Sequence, residues 1–215
     1  MKQWSNTIVT DFFLSAPARL HFGLYSAAGS ATGSKGFGGV GLMIEQPAAK
    51  VACSRDQNFT VSGLNTDLVS KIVDLLAAKS FLPQDPRNLP IRIELLQTPP
   101  RHSGLGTGTQ IAFAVAATLM HCFGMPMPEP DEMADLVGRG KRSAVGSHGF
   151  FSGGFIADSG ITPDAKFSPI ESRQEFPLEW PIVLIRPGNQ TGLHGQQEQT
   201  AFDQLGQHGT ETGSD

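Results

Sequence analysis

The chain is poor in most of what would mark it for a special environment. It has 215 residues but only two cysteines, Cys53 and Cys122, which are far apart and show no C-x-x-C or C-x-x-H spacing. Neither a disulfide framework nor a cysteine-based zinc site is indicated, and the expectation is a pair of reduced, buried thiols in a cytoplasmic protein. There is no excess of basic residues. Lys and Arg number 16 against 20 Asp and Glu, for a net charge of −4, so the broad basic footprint of a nucleic-acid binder is missing. No apolar run is long enough to cross a bilayer: Ile111–Phe123 is the most apolar stretch and falls short of the twenty or so residues needed. Near the N-terminus Asp11 and Ser15 break up the Phe-Phe-Leu patch, so no signal peptide is read there and no membrane partner is expected.

What the chain does have is glycine and proline, 25 and 15 residues, in an otherwise ordinary globular composition of 39% hydrophobic residues. Many turns should separate short elements. Alternation predicts strands over Asp11–Gly23, Val40–Ile44, Lys50–Ser54, Phe59–Ser62, Ile91–Gln97, Phe155–Asp158 and Pro181–Arg186. Helical spacing of Leu68, Ile72, Leu75 and Leu76 predicts a helix over Asn65–Lys79, and further helices are expected over Thr109–Phe123 and Asp131–Gly138, the last with Asp131 as its N-cap. Ser26–Gly41 reads as a glycine-rich loop, alone or flanking a short strand, Gly138–Gly154 as a basic glycine-rich segment, and Gly188–Gly195 as a polar loop before a helix starting near Gln196. The mixed order of strands and helices predicts an α+β layered domain.

The chemistry concentrates between the Ile91–Gln97 strand and the following helix, in Pro99-Pro-Arg-His-Ser-Gly-Leu-Gly-Thr-Gly-Thr-Gln110. Glycines let a backbone turn tightly and approach an anion, and a helix N-terminus offers unpaired N–H groups with partial positive charge. Strand, glycine loop and helix together make a phosphate cradle. Gly104, Leu105, Gly106, Thr107, Gly108 and Thr109 are its candidate residues, with the two threonine hydroxyls able to meet phosphate oxygens or magnesium. A P-loop is excluded, because no Gly-Lys-Ser/Thr ending is present. A glycine turn that merely joins two elements is the plainer alternative.

Other polar groups could serve the same anion. Arg139, Lys141 and Arg142 place three cations within four residues, beside Ser143, Ser147 and His148. They suit stabilisation of departing negative charge, although a solvated basic turn reads equally from the residues alone. Arg19 and His21 are two apart on a strand and so share a face, which could be a binding face or simply a solvated one. His148 and His194 are candidates for proton transfer near neutral pH. Asp158 is either a metal ligand or a helix cap.

Two segments carry a family resemblance. Pro100–Gln110 resembles the second signature of the GHMP kinase superfamily, and Ala16-Pro-Ala-Arg-Leu-His-Phe-Gly-Leu24 resembles the first. The kinases usually read Gly-Leu-Gly-Ser-Ser-Ala where this chain reads Gly-Leu-Gly-Thr-Gly-Thr-Gln. That wording is similar to one branch, the beta-ribofuranosylaminobenzene 5'-phosphate synthases, as are Gly138–Phe150 and Gly192-Leu-His-Gly195 followed by Glu198. The resemblance runs from about Ser15 to Leu205.

The resemblance implies an N-terminal domain of ribosomal-S5-like two-layer fold over residues 1–178 and the start of a second, C-terminally short domain over 179–215. It implies condensation of para-aminobenzoate with phosphoribosyl pyrophosphate, losing carbon dioxide and pyrophosphate, in tetrahydromethanopterin synthesis. Magnesium is the implied cofactor, with its ligands unassigned, and a homodimer is left open. Arg142, His148 and Lys141 are the implied catalytic group. Arg19, His21, Arg139, Ser147 and residues 104–109 are the implied substrate contacts. An ATP-dependent kinase of the superfamily and a silent anion-binding protein are the rival readings.

Overall fold

The computed structural model describes residues 11–26, 37–79, 81–141, 143–161, 165–185 and 200. Its backbone is a mixed sheet with helices: β1 (Phe12–Ser26), β2 (Phe37–Arg55), β3 (Thr60–Gly63), α1 (Thr66–Ala78), β4 (Ile91–Gln97), α2 (Thr107–Cys122), α3 (Pro130–Leu136), α4 (Val145–Ser152), β5 (Phe155–Asp158) and β6 (Ile170–Gln174). The α+β class expected from the sequence is the class found.

The organising element is β2. It pairs antiparallel with β1 along one edge, from Cys53 opposite Phe12 to Phe37 opposite Ser26. Its other edge is shared: residues 50–55 pair with β4, and Val40, Gly41 and Leu42 pair with β5. Two short strands were expected here, Val40–Ile44 and Lys50–Ser54. They are one strand, bent where residues 45–48 stand opposite Pro17 between the pairs Ala16–Ala49 and Ala18–Ile44. Proline and glycine read as breaks in sequence, yet a bulge accommodates them within a continuous strand.

The helices α1, α2 and α3 bury one continuous core against the sheet, in which Val51, Val69, Leu76, Ile91, Ile93, Leu95, Phe113, Leu119 and Met133 are inaccessible. β4 buries Ile91, Ile93 and Leu95 and exposes Arg92, as its alternation predicts. In α1 the buried stripe is Val69, Ile72, Val73 and Leu76, turned slightly from the expected set, since Leu68 and Leu75 are only half-buried. Nearly the whole surface of α2 is buried, so it is the central helix.

Several boundaries differ from expectation. α2 begins at Thr107, two residues early, which puts Thr107 and Gly108 inside its first turn. α3 is capped at Glu129, not Asp131, because Pro130 supplies the fixed φ of a first helical residue. α4 lies within the segment read only as glycine-rich and basic. β6 was not anticipated, and residues 181–185, expected as a strand, form no regular element. Leu178, Trp180, Val183 and Ile185 there are strongly exposed. The expected loop Gly188–Gly195 and helix from Gln196 lie outside the described residues, apart from helical Thr200. Among the described residues no helix is long and apolar enough to cross a membrane.

Candidate anion-binding site

The loop from Thr98 to Gly106 hands the chain from β4 to α2. Its own side chains hold it: Ser103 Oγ donates to the Pro100 carbonyl at 2.6 Å, and Thr107 Oγ1 donates to the same oxygen at 3.2 Å. The Arg19 amide donates to the Leu105 carbonyl at 3.0 Å, which ties β1 to the loop. Gly106 caps α2 at φ 67°, a left-handed conformation that costs a side-chain-bearing residue about 1–2 kcal/mol. No side chain caps this end of the helix; the Thr109 and Gln110 amides donate to the Gly106 carbonyl at 3.0 and 3.2 Å, and the positive end of the dipole lies at Gly106–Gly108.

Two arginines close on that terminus. A Cβ on Gly106 would lie 3.2 Å from Arg19 Cβ and 3.5 Å from its Nε, so the Arg19 side chain runs directly across the cap. A Cβ on Gly108 would lie 3.4 Å from Arg139 Nη2, which places the second guanidinium over the first turn. Arg139 is half-buried, and its Nε is buried with no hydrogen-bond partner among the described residues. Burial, with a smaller contribution from the like charge of Arg101, pulls the Arg139 pKa down. A guanidinium remains charged regardless, so the cost stands as an unmet demand for an anion.

Behind these arginines α2 is joined to α4. Gln110 is fully buried and its Nε2 donates to the Gly146 carbonyl at 2.8 Å. That bond fixes the amide orientation and leaves Oε1 as a buried acceptor without a partner among the described residues. A Cβ on Gly146 would lie 3.4 Å from Arg19 Cδ and 3.5 Å from Gln110 Nε2, so Arg19, Gln110 and Gly146 pack together. Ser147 Oγ is likewise buried and unpartnered.

His21 sits two residues beyond Arg19. Burial, then the positive charge of Arg19, push its pKa down to about 4, with the Asp158 carboxylate pulling weakly the other way. At neutral pH this imidazole is uncharged. It can donate or accept one hydrogen bond to a ligand but supplies no cation, so only Arg19 of the expected pair carries charge.

Asp158 resolves as a helix cap. Its Oδ2 accepts from Ser143 Oγ at 2.9 Å, the Ala144 amide at 2.9 Å and the Val145 amide at 3.2 Å. Its Oδ1 accepts from Gly39 N at 3.1 Å, Gly160 N at 3.2 Å and Ser168 Oγ at 2.7 Å. Six donors fill the carboxylate at the positive end of α4. Gly39 has no side chain because a Cβ there would collide with Ser143 Oγ and Asp158 Oδ2. No cluster of three His, Cys, Asp or Glu side chains is present among the described residues. The residues described do not make a protein cage for magnesium.

The basic segment is divided by the fold. Arg139 reaches the cradle, Lys141 is exposed, and Arg142 and His194 lie outside the described residues. The His148 Nε2–H donates to the Ser168 carbonyl at 2.8 Å and the ring packs 4.8 Å from Phe167, so this histidine holds the segment before β6. Thr109 is half-buried in the first turn, and Leu105 packs against Ala18, Leu42 and Ile44. Gln110 had not been singled out. Its signal was a long amide in an otherwise apolar helix, directly after the glycine motif. A separate cavity of about 510 Å³, lined by Met43, Phe150, Phe176 and Trp180 among others, contains none of the cradle residues.

Residues 67–155 match the family described as GHMP kinases N terminal domain. Over 216 residues the chain is 29% identical to a protein of Methanothermobacter thermautotrophicus named beta-ribofuranosylphenol 5'-phosphate synthase, covering 92% of this chain and 64% of that protein. A protein of the same name from Archaeoglobus fulgidus is 28% identical, with 88% and 61% covered. The chain thus spans about three-fifths of the length of these relatives. Among solved structures, the Streptococcus pneumoniae phosphomevalonate kinase superposes with a TM-score of 0.55 at 11% identity, over 71% of this chain and 49% of that one. The Methanococcus jannaschii mevalonate kinase gives 0.52 at 11%, over 69% and 53%. These likenesses concern the fold.

Proposed function

We propose that the cradle of this chain, whose residues 67–155 match the GHMP kinases N terminal domain family, binds the pyrophosphate of phosphoribosyl pyrophosphate and not the phosphates of ATP. The observation that carries this is the Arg139 guanidinium over Gly108. The kinase wording puts a serine hydroxyl at that position, whereas this chain leaves it bare and fills the space with a fixed cation. A guanidinium matches a phosphate oxygen pair bidentately and suits a pyrophosphate that must be held and then released as a leaving group. The relatives' name, beta-ribofuranosylphenol 5'-phosphate synthase, agrees with a phosphoribosyl donor.

The reaction is a phosphoribosyl transfer with decarboxylation. The bond from the ribose anomeric carbon to pyrophosphate breaks, and that carbon gains positive character. The ring carbon of a 4-substituted benzoate that bears the carboxylate attacks it. The carbon–carboxylate bond then breaks, its electron pair restores the aromatic ring, and carbon dioxide leaves. The aryl acid is para-aminobenzoate in this reading, and the hydroxyl analogue is the counterpart that the relatives' names suggest. The product belongs to tetrahydromethanopterin synthesis.

The chain's own residues act through position and charge. Arg19, Arg139 and the α2 N-terminus take up the charge that develops on the departing pyrophosphate. Neutral His21 offers one hydrogen bond beside Arg19. No protein nucleophile is required, and magnesium enters as the counter-ion of the polyphosphate, held by its oxygens.

Incubation with magnesium, phosphoribosyl pyrophosphate and carboxyl-labelled para-aminobenzoate tests this. Labelled carbon dioxide is expected. ATP consumption with phosphorylation of a small alcohol would instead establish a kinase, and silence in both assays from a folded protein would leave an anion-binding protein.

A further inference from the structure

The proposed function makes no use of the cysteines, yet the fold brings them together. Cys53 lies near the C-terminal end of β2, opposite Phe12 of β1 and Ile93 of β4. Cys122 is the last residue of α2. Their sulfurs are 3.1 Å apart, and both thiols are free and buried, at 1% and 0% exposure. They are sixty-nine positions apart in the chain. The contact therefore arises only because the far end of α2 packs onto the strand beneath it.

We infer that Cys53 and Cys122 form a peroxide-sensitive dithiol that closes to an intrachain disulfide and pins the C-terminal end of α2 to β2. Three features of the pair favour closure over inert burial. The sulfurs are already in contact, so the effective concentration of each for the other is high. The surroundings are apolar, with no described metal-ligand cluster to claim the thiols. Either thiol can donate in the hydrogen bond between them, which holds one sulfur aligned on the other. Attack by Cys53 with Cys122 resolving gives the same disulfide as the reverse order.

The chemistry balances with a hydroperoxide as the two-electron oxidant. The Cys53 thiolate attacks one peroxide oxygen, the O–O bond breaks, and water (or an alcohol) leaves as Cys53 becomes a sulfenic acid. The Cys122 sulfur then attacks the Cys53 sulfur, the S–O bond breaks, and a second water leaves with the Cys122 proton. A small peroxide is suited to a buried pair, because bulky disulfide oxidants need wider opening.

The cross-link would restrict the unfolded chain through a long closed loop and so stabilise the fold. It also connects the end of α2 remote from the cradle to the sheet, which distinguishes it from any ligand effect at Gly106.

The test treats the folded, reduced protein with hydrogen peroxide at low temperature, then denatures and alkylates it. The expected result is an intact mass lower by two hydrogens, no alkylated cysteine, a Cys53–Cys122 linked peptide, a raised thermal midpoint, and full reversal by dithiothreitol. In Cys122→Ser the oxidation should stop at a Cys53 sulfenic acid that dimedone traps. Two alkylatable thiols after treatment, over-oxidation to sulfinic acid without a cross-link, a disulfide between chains, or a lowered thermal midpoint would each overturn the inference.

Discussion

The Asp158 carboxylate closes on the N-terminus of α4, 2.9 Å from the Ala144 amide, while also accepting from Gly39 N in β2. One side chain thereby fixes the start of a helix against a strand more than a hundred residues earlier. Replacement by alanine would leave four backbone amides and two hydroxyls without their acceptor, in a site of zero exposure. Asp158→Ala should destabilise the protein by roughly 3 kcal/mol, measured by urea denaturation, since buried unpaired donors cost about 1–3 kcal/mol each with partial relief by water. Asp158→Asn, which keeps one acceptor oxygen, should lose less.

Gly106→Ala tests the cradle's backbone. The φ of 67° and the 3.2 Å approach of Arg19 Cβ leave an alanine both strained and crowded. A stability loss of about 1–2 kcal/mol is expected. Pyrophosphate affinity by calorimetry should fall with it, because Arg19 must move aside. An unchanged affinity would mean that Arg19 takes no part in holding the anion.

Arg139→Met separates binding from stability. Removing a charge-assisted contact costs about 1.5–3 kcal/mol of binding, or roughly a 10- to 150-fold rise in the pyrophosphate Kd. The thermal midpoint without ligand should hold or rise, because a half-buried guanidinium with an unpartnered Nε is replaced by an apolar chain of similar length. Loss of both together would make Arg139 a packing residue.

His21 gives a pH signature. Its folded pKa of about 4 lies below the ordinary 6.5, so between these values the unfolded chain binds more protons than the folded one. The stabilising contribution is complete above pH 6.5 and is lost as pH falls toward 4. His21→Gln should flatten the stability profile in that window, read by thermal unfolding at a series of pH values. Pyrophosphate should raise the His21 pKa in an NMR titration, since a nearby anion favours the imidazolium.

How far the sequence foretold the structure depended on whether the cause was local. The β4 alternation and the α1 stripe follow from residues a few positions apart, and both elements appear where the pattern puts them. The glycine loop was equally legible, because Gly106 and an uncapped helix start are neighbours in the chain. α4 was hidden, since Val-Gly-Ser-His-Gly-Phe-Phe-Ser contains two glycines and its cap arrives from Asp158, beyond its own end. Of the cation cluster only Arg139 is shown at the cradle, because Lys141 is exposed and Arg142 lies outside the described residues. Gln110 acquires its meaning from Gly146, a partner thirty-six positions away.

The bent β2 has a kinetic consequence. It carries β5 at one end and β4 at the other, so neither half of the sheet can complete itself until the same strand is in place. Opening of either half must strip backbone bonds from a shared element. Amide exchange at residues 40–42 and 50–55 should therefore report one common free energy, that of global unfolding, and refolding should proceed in a single slow, long-range step dominated by the seating of that strand.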